Sequence, residues 1–564
     1  MQIQAKPQEY DAIVVGSGAS GGWAAKRMSE AGLRVALVCA GRPLKDGDYR
    51  EHVQPYELKY QARANDLIRR TRPVQKDCYA CTEYNQDWFC NDIEEPYTTE
   101  KNKPFSWQGR MRVTGGRTNV WGRHSYRFST QDMKGYSFDG AGADWPLDYK
   151  DLVKYYELVE DYVGISGMVE NVPELPDSKF QPSMPLTCVE DKVRGAIKTK
   201  FGRTMTMGRL ANLTKPINGR QPCHYCGPCE RGCITHSYFN AAFTTVADAI
   251  KTGKCTHIPN AMVYQVLMDD AGNKARGVVY VDRVTRETRQ VYAKTVVLCA
   301  QSLESTRILF NSATTRHAGG LGNSSGILGN YLMDHMWVAG GANGEFPDLP
   351  GKPSLDAGRR PGGPYVIRFR NTINGERHKD FLRGYGFQGG SALNFNYAAP
   401  GFGQAYKDAV KNGQWTMNLV GFGECLPYKE NKVTLNKAVT DVYGIPVLHF
   451  DIAWGENEKK MIRDMAVSAG EMLEAAGAKN VRTFALEDRV PGYSIHEMGT
   501  ARMGADPKSS VLNAFQQTHD VKNVFVMDAA GFPSGACQNP TLTIMAMAVR
   551  STDYLMEEMK KGNL

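Results

Sequence analysis

The chain predicts an α/β fold with a second, β-rich α+β domain attached. Three observations predict it. A buried apolar strand at Tyr10–Val15 runs directly into Gly16-Ser17-Gly18-Ala19-Ser20-Gly21, followed by a helical stretch and another apolar strand, Arg34–Val38. A similar mixed pattern returns in the last 80 or so residues. Between them, roughly residues 331–485 carry scattered Gly, Pro and aromatic residues with short strand signals such as Lys432–Leu435.

The first unit is the most explicit. β–turn–α–β with G-x-G-x-x-G at the turn is the fingerprint of a Rossmann-like dinucleotide site. Gly16 allows the tight turn, Gly18 lets backbone approach a pyrophosphate, and Gly21 lets helix and strand pack closely. The helix, expected over Trp23–Ala31 and stopped by Gly32, turns unpaired N–H groups and a positive dipole end toward the phosphates. One position departs from the pattern. The acidic residue that usually ends the second strand and holds the ribose hydroxyls is replaced by Cys39, followed by Ala40 and Gly41. A thiol lacks the two strong acceptors of a carboxylate, so ribose recognition is expected to be weaker there or supplied elsewhere.

Further elements follow in order. Residues 45–104 are polar and aromatic with little periodicity. Gly115-Gly116-Arg117-Thr118-Asn119-Val120-Trp121-Gly122 is a second glycine-rich loop, and Tyr149–Gly164 reads as a helix. Ala261–Asp282 reads as a hairpin turning at Asp269–Asn273. Thr295–Ala300 is a buried strand, and Leu303–Phe310 starts a helix.

Composition bounds the rest. The 564 residues suffice for about two to four domains. With 68 basic and 60 acidic residues the net charge of +8 is small for this length and points to no nucleic-acid partner. No apolar run reaches the length of about 18 residues needed for a transmembrane helix. Met1–Tyr10 is polar, so no signal peptide is legible and the mature chain is expected to begin near Met1.

Among 13 cysteines, four are packed into eleven positions: Cys223, Cys226, Cys229 and Cys233, spaced C-x2-C-x2-C-x3-C. That run wraps iron–sulfur clusters. Structural zinc usually pairs two C-x2-C units across a longer gap, and unligated thiols or disulfides are the remaining readings. Ile234 follows the fourth cysteine and no second run exists, so either four thiolates close a 4Fe-4S cluster or three hold a 3Fe-4S cluster. Cys78, Cys81 and Cys90 form a looser group that could lend a distant ligand. The other cysteines read as small buried apolar side chains.

With these landmarks placed, the chain resembles the glucose–methanol–choline (GMC) flavoprotein oxidoreductases. The resemblance is carried by Tyr10–Gly41, the loop Gly115–Gly122, Val296–Ser305 and Gly329–His335. Its most specific parts are His496–Gly504, Val526–Ala530 and Asn539–Ile544. Within the family, Gly21–Lys26, Trp121–Arg127 and the cysteine loop ending in Ser237-Tyr238-Phe239 look most like the bacterial glucoside 3-dehydrogenase branch, which is related to the fructose, gluconate and glucose dehydrogenase large subunits. Cys223, Cys229 and Cys233 match the spacing of the cysteine loop in those subunits, and Cys226 is additional.

The resemblance implies a discontinuous FAD-binding domain (8–45, 105–128, 240–330 and 486–564), a substrate domain and lid (46–104, 129–215 and 331–485), and a cysteine loop (216–239). It implies FAD as hydride acceptor, His496 as the base that takes the hydroxyl proton, and Asn539 as the residue that holds the substrate oxygen. Histidine suits that task because its ordinary pKa lies near neutrality. Gly115, Gly116 and Asn119 are expected at the cofactor, as are Asp528 near its diphosphate or ribityl chain and Val263 near the adenine through its backbone. His124 is a weaker candidate for covalent flavin attachment, since it lies past the usual point, and His335 and His519 are expected to be structural.

The function expected is oxidation of a sugar or glycoside hydroxyl, at C3, with electrons leaving through the cluster to a cytochrome c or quinone. A flavin oxidase using O₂, another sugar dehydrogenase large subunit, a non-redox lyase on the same fold and a non-catalytic carrier subunit are the alternatives. Relatives often work beside a small subunit that carries the export signal, which would place the enzyme at the periplasmic face by co-export; a cytoplasmic enzyme is the other reading.

Overall fold

The computed structural model describes residues 9–349, 359–375, 377–411 and 413–564. Its first sheet is seven-stranded. Strands Cys255–Ile258, Val35–Val38, Glu9–Val15 and Thr288–Leu298 run parallel in that order. Ile13, Val14, Val296 and Val297 are buried on both faces, as parallel strands covered by helices require. Each fully buried aliphatic side chain there stabilises by roughly 1.5–3 kcal/mol. The long strand Thr288–Leu298 changes partner along its length. Its first half pairs antiparallel with Ala275–Asp282, which continues to Ala261–Met268, and its last residues pair in parallel with Val524–Val526. The C-terminal segment is thereby sewn into the N-terminal sheet.

The first helix spans Ala19–Glu30 and starts directly after Gly18, four residues earlier than the side-chain pattern suggests. Gly21 and Gly22 conceal that start, because glycine is a poor helix former. They are there for contact. A Cβ on Gly21 would lie 1.8 Å from the Gly16 carbonyl oxygen. The helix Tyr149–Val163 ends at Gly164, which has φ +76°, and the helix Ser302–Asn311 follows the strand Thr288–Leu298 as expected.

A second, six-stranded sheet runs in the order Lys479–Ala485, Met336–Phe346, Gln414–Gly423, Tyr385–Asn394, Pro364–Val366, Met205–Met207. A third, small sheet holds Lys432–Thr440, Pro446–Asp451 and Thr98–Thr99. The β-rich reading of 331–485 misses one large element, the helix Glu456–Ala475. Its Met461, Ile462, Met465, Ala469, Met472 and Leu473 form one buried stripe at helical spacing. The glycines in the strands make room for it. A Cβ on Gly340 would meet the Ile462 carbonyl oxygen at 2.5 Å, and one on Gly421 would meet Met465 Sδ at 2.4 Å. The scattered glycines thus mark close helix-on-sheet contact as well as turns.

Arg110 and Arg112 reach the helix Ser302–Asn311 at Glu304. Both donate to Glu304 Oε1 at 3.0 Å, and Arg112 also donates to Glu95. All four are buried or nearly so, and the two carboxyls are held below the usual carboxylate range despite burial, by the surrounding guanidinium groups. Breaking one member of such a set would cost about 3–5 kcal/mol, because its partner would be left charged and dry.

Candidate active site

One cavity threads the first sheet at the carboxyl ends of its parallel strands, where open α/β sheets bind nucleotides. Gly16, Gly18, Gly116, Val263, His496 and Asp528 line it. Gly16 has φ +101°, and a Cβ there would strike the Cys299 carbonyl oxygen at 2.3 Å. At Gly18, by contrast, nothing lies closer than 4.0 Å to a Cβ position, so its backbone is open to a ligand. The remaining predicted glycines work from behind the wall. Gly21 lets the helix close on Gly16, and Gly115, with φ +86°, donates its N–H to Ser17 Oγ at 3.1 Å.

Asn119 is fully buried and its amide is spent on the loop itself. It donates to the carbonyls of Thr114 and Gly116 and accepts from Tyr49 Oη and Asn240 Nδ2. It shapes the glycine loop and does not line the cavity. Cys39 is likewise engaged locally, with Sγ 2.9 Å from Ser17 Oγ and accepting from the Gly41 N–H.

Asp528 accepts from Ser305 Oγ at 2.5 Å and from the Ala530 N–H at 3.0 Å, and burial pushes its carboxyl up to about 6. Gln301, which the sequence reading passes over, has φ +79° and faces the same cavity. Its Oε1 accepts from the Leu303 N–H, while its Nε2 is buried without a partner. An orphan donor in a cavity floored by backbone N–H groups fits a ligand rich in acceptors, such as a dinucleotide diphosphate and ribityl chain.

His496 also lines the cavity. Two contacts fix its segment. Arg117 forms a two-pronged pair with Glu497, at 2.6 and 3.0 Å, and also donates to the Ile495 carbonyl at 3.0 Å. The backbone pairing of Met333 with Met498 brings Asp334 and His335 alongside. Asp334 accepts from the His496 N–H at 2.9 Å and from Ser494 Oγ, and burial pushes its carboxyl up to about 6.

His335, expected from the sequence to be structural, stands directly beside His496. Its Nδ1 lies 3.0 Å from His496 Nδ1, and its Nε2 lies 2.9 Å from the Ala536 carbonyl oxygen. A carbonyl only accepts, so His335 Nε2 carries the proton. In the neutral ring Nδ1 must then accept, and His496 Nδ1 must donate. This leaves His496 Nε2 as a free lone pair. The chain from Ala536 thus selects the tautomer a base requires.

Burial holds His496 well below the ordinary imidazole range, with the His335 ring and the Arg117 guanidinium adding to it; burial also lowers His335 to about 4. A lowered imidazole stays neutral as pH falls through 6.5. A reaction that uses His496 as its base is therefore expected to keep a flat limiting rate from pH 8 through 6.5, measured by stopped-flow down to pH 5.5, with its acid limb lying lower. A fall centred at 6.5 would contradict this.

Asn539 sits two residues before the helix Thr541–Lys561; the N-cap residue Pro540 and the first helical residue Thr541 face the cavity. Its Oδ1 accepts from Gln388 Nε2 at 2.8 Å. Phe422 packs against both histidine rings, and Trp337 lies against Phe422 and Tyr493. His124 is not on the cavity wall; its Nδ1 lies 3.0 Å from Tyr126 Oη.

The cysteine loop lies on the surface, with Cys229 buried and the other three half-exposed, and all four thiols are free. The Tyr225 N–H points at Cys223 Sγ at 3.4 Å and the Ser237 N–H at Cys233 Sγ at 3.3 Å. Among the described residues, however, no group of three or more Cys, His, Asp or Glu side chains is arranged to hold a metal ion, so the four sulfurs do not converge on one centre. Cys78 and Cys81 are buried in a small apolar cluster with Ile68, Trp88 and Phe89, while Cys90 is buried beside Glu95, toward which its thiol points.

Comparison with known proteins sets this geometry in context. Residues 10–337 and 427–548 match the two family models described as GMC oxidoreductase. The chain is 28% identical to the 2-methyl-1,2-propanediol dehydrogenase of Mycolicibacterium austroafricanum, covering 97% of this chain and 95% of that one. It is 26% identical to the fructose dehydrogenase large subunit of Gluconobacter japonicus, covering 98% of each. It is also 26% identical to a C-glycoside 3-oxidase of Arthrobacter globiformis, over 71% of this chain and 72% of that one. Among solved structures, the pyridoxine 4-oxidase of Mesorbium loti shares the fold with a TM-score of 0.60 at 17% identity, covering 97% of this chain and 99% of that one.

Proposed function

Since the chain belongs to the GMC oxidoreductase family, FAD-dependent enzymes acting on CH–OH groups, we propose that it is a dehydrogenase oxidising a secondary hydroxyl of a sugar or glycoside at C3. The observation that carries the chemistry is the free lone pair of His496 Nε2, fixed by His335 and the Ala536 carbonyl. Bound FAD supplies the acceptor for the hydride that leaves the carbinol carbon. His496 takes the hydroxyl proton. The resulting imidazolium keeps its Nδ1–H on His335. Asn539 holds the substrate oxygen. Gly16, Gly18, Gly116, Gln301 and Asp528 are the residues that would hold the cofactor. Trp337 and Tyr493, half-exposed beside the buried Phe422 that packs on the base, offer aromatic surface suited to the C–H face of a sugar. The C3 assignment is supported by the likeness to a C-glycoside 3-oxidase. It is tested by anaerobic titration with methyl β-D-glucoside and identification of the keto product; oxidation at another carbon would remove it.

The proposal extends to the cysteine loop, as the site of an iron–sulfur cluster that carries single electrons away. Its spacing, its four free thiols and the two N–H groups aimed at sulfur support that reading. Metal binding and folding are coupled in such loops, so the sulfurs would draw together on loading. Cys229→Ser is expected to lose the iron and the EPR signal while keeping the flavin absorbance. Iron-free native protein, made with intact cluster assembly, would remove this part of the proposal and leave the flavin chemistry standing.

Electrons would then pass to a cytochrome c or quinone, with a small partner subunit providing export to the periplasmic face. The likeness to a protein known as a large subunit supports a partner. No helix among the described residues is long and apolar enough to cross a membrane.

A further inference from the structure

The strand Tyr385–Asn394 sits in the second sheet between Pro364–Val366 and Gln414–Gly423. Alternation divides its side chains. Tyr385 and Phe387 enter the core under the helix Glu456–Ala475. Gly386, Gln388 and Gly390 fall on the other face. A Cβ on Gly390 would meet nothing within 4 Å, so this part of the face is open. Gln388 is half-buried and reaches from it to donate to Asn539 Oδ1 at 2.8 Å, the one hydrogen bond of the Asn539 side chain among the described residues.

We infer that Gln388 is a positioning residue that fixes the amide of Asn539, turning its N–H₂ group toward the substrate oxygen. The inference rests on the reading of His496 and Asn539 as the pair that meets an alcohol. A hydroxyl has one proton to give. His496 Nε2 is already committed as an acceptor by the chain from the Ala536 carbonyl. If Asn539 presented its carbonyl oxygen as well, two acceptors would compete for one proton and the oxygen lone pairs would face nothing. With Oδ1 taken by Gln388, Nδ2 is the atom left to meet the substrate. It then donates to the hydroxyl in the ground state and more strongly to the oxygen as negative charge develops on it. No bond to Gln388 forms or breaks during the reaction; its action is to hold an amide the right way round.

Two variants separate donation from bulk. Gln388→Glu can only accept, so it would attract Asn539 Nδ2 and turn Oδ1 toward the substrate. Gln388→Met keeps the length and removes both roles, leaving the amide free to rotate. Flavin-loaded native protein and both variants are mixed anaerobically with methyl β-D-glucoside, D-fructose or 2-methyl-1,2-propanediol, and flavin bleaching is followed in stopped-flow. The limiting rate is expected to fall about 10²-fold in Gln388→Glu, the range seen when a donor to a developing oxyanion is removed, and about tenfold in Gln388→Met. Flavin content should be unchanged and the isotope effect from a deuterated carbinol carbon fully expressed. Limiting rates within twofold of native in both variants, or changes confined to half-saturation, would overturn the role of Gln388 and leave the alcohol chemistry in place. A native-like Gln388→Glu beside a slow Gln388→Met would show that Asn539 donates to Gln388, which also overturns it. A native enzyme bleached by none of the three compounds would overturn the underlying reading of the pair.

Discussion

Replacing His496 by alanine is expected to leave FAD bound and to slow flavin reduction by about 10²–10⁴-fold, the usual worth of general base help. On the proposed reading the base contributes only at the proton, whereas the cofactor would be held by the glycine loops and by Asp528 and Gln301, which line the same cavity. The two effects should therefore separate. The measurement is the flavin absorbance per mole of purified protein beside the limiting rate of anaerobic bleaching. Because Asn539 remains in place, some rate above the uncatalysed reaction should persist. Near-normal bleaching would remove His496 from its role, and loss of flavin would mean that the histidine supports the cofactor instead.

Adding one methyl group at Gly21 is expected to abolish flavin binding. The Cβ of Gly21→Ala would lie 1.8 Å from the Gly16 carbonyl oxygen and 3.1 Å from Cys299 Cβ. The first obstacle is backbone, so no rotamer change relieves it. The helix Ala19–Glu30 must move off the strand Glu9–Val15, carrying its N-terminus away from the place where phosphates are received. A loss of about 3 kcal/mol or more is expected, in the range of severe core overpacking. Purification without yellow colour and a lowered thermal midpoint would be the result. The same change at Gly32, where a Cβ meets nothing but φ is +88°, should cost about 1 kcal/mol and keep the flavin. Equal behaviour of the two variants would show that the close contact at Gly21 is not the cause.

What the sequence made legible divides along physical lines. Gly16, Gly18 and Gly21 were readable because only glycine meets the demands of a tight turn, an open backbone and close packing at those spacings. His496 and Asn539 were singled out from the signature segments around them, and their roles belong to the proposed function. His335 was not, since its role depends on the pairing of Met333 with Met498, 165 residues apart in the chain. Its neighbour Asp334 and the shared Asp-His dipeptide gave a faint signal, but a histidine beside an aspartate is as often structural. Gln388 had no signal at all. A lone glutamine among glycines and aromatics reads as strand surface until the strand is placed over the site. Asn119 erred in the opposite sense. A polar residue in a glycine loop suggests a ligand, yet its amide is fully used by Thr114, Gly116, Tyr49 and Asn240. The helix Glu456–Ala475 was hidden because its apolar stripe is short of large aliphatic residues, with Ala466, Ala469 and Gly470 between Met465 and Met472.

The row of atoms from Ala536 through His335 to His496 also governs where a captured proton can go. A peptide oxygen is too weak a base to receive one, so the rear of the imidazole pair is a dead end. On the proposed chemistry the proton departs by the face through which the alcohol arrived, after the oxidised product has left. Each turnover would then be reset through a single doorway, and how fast that doorway clears would decide how soon the next molecule can be oxidised.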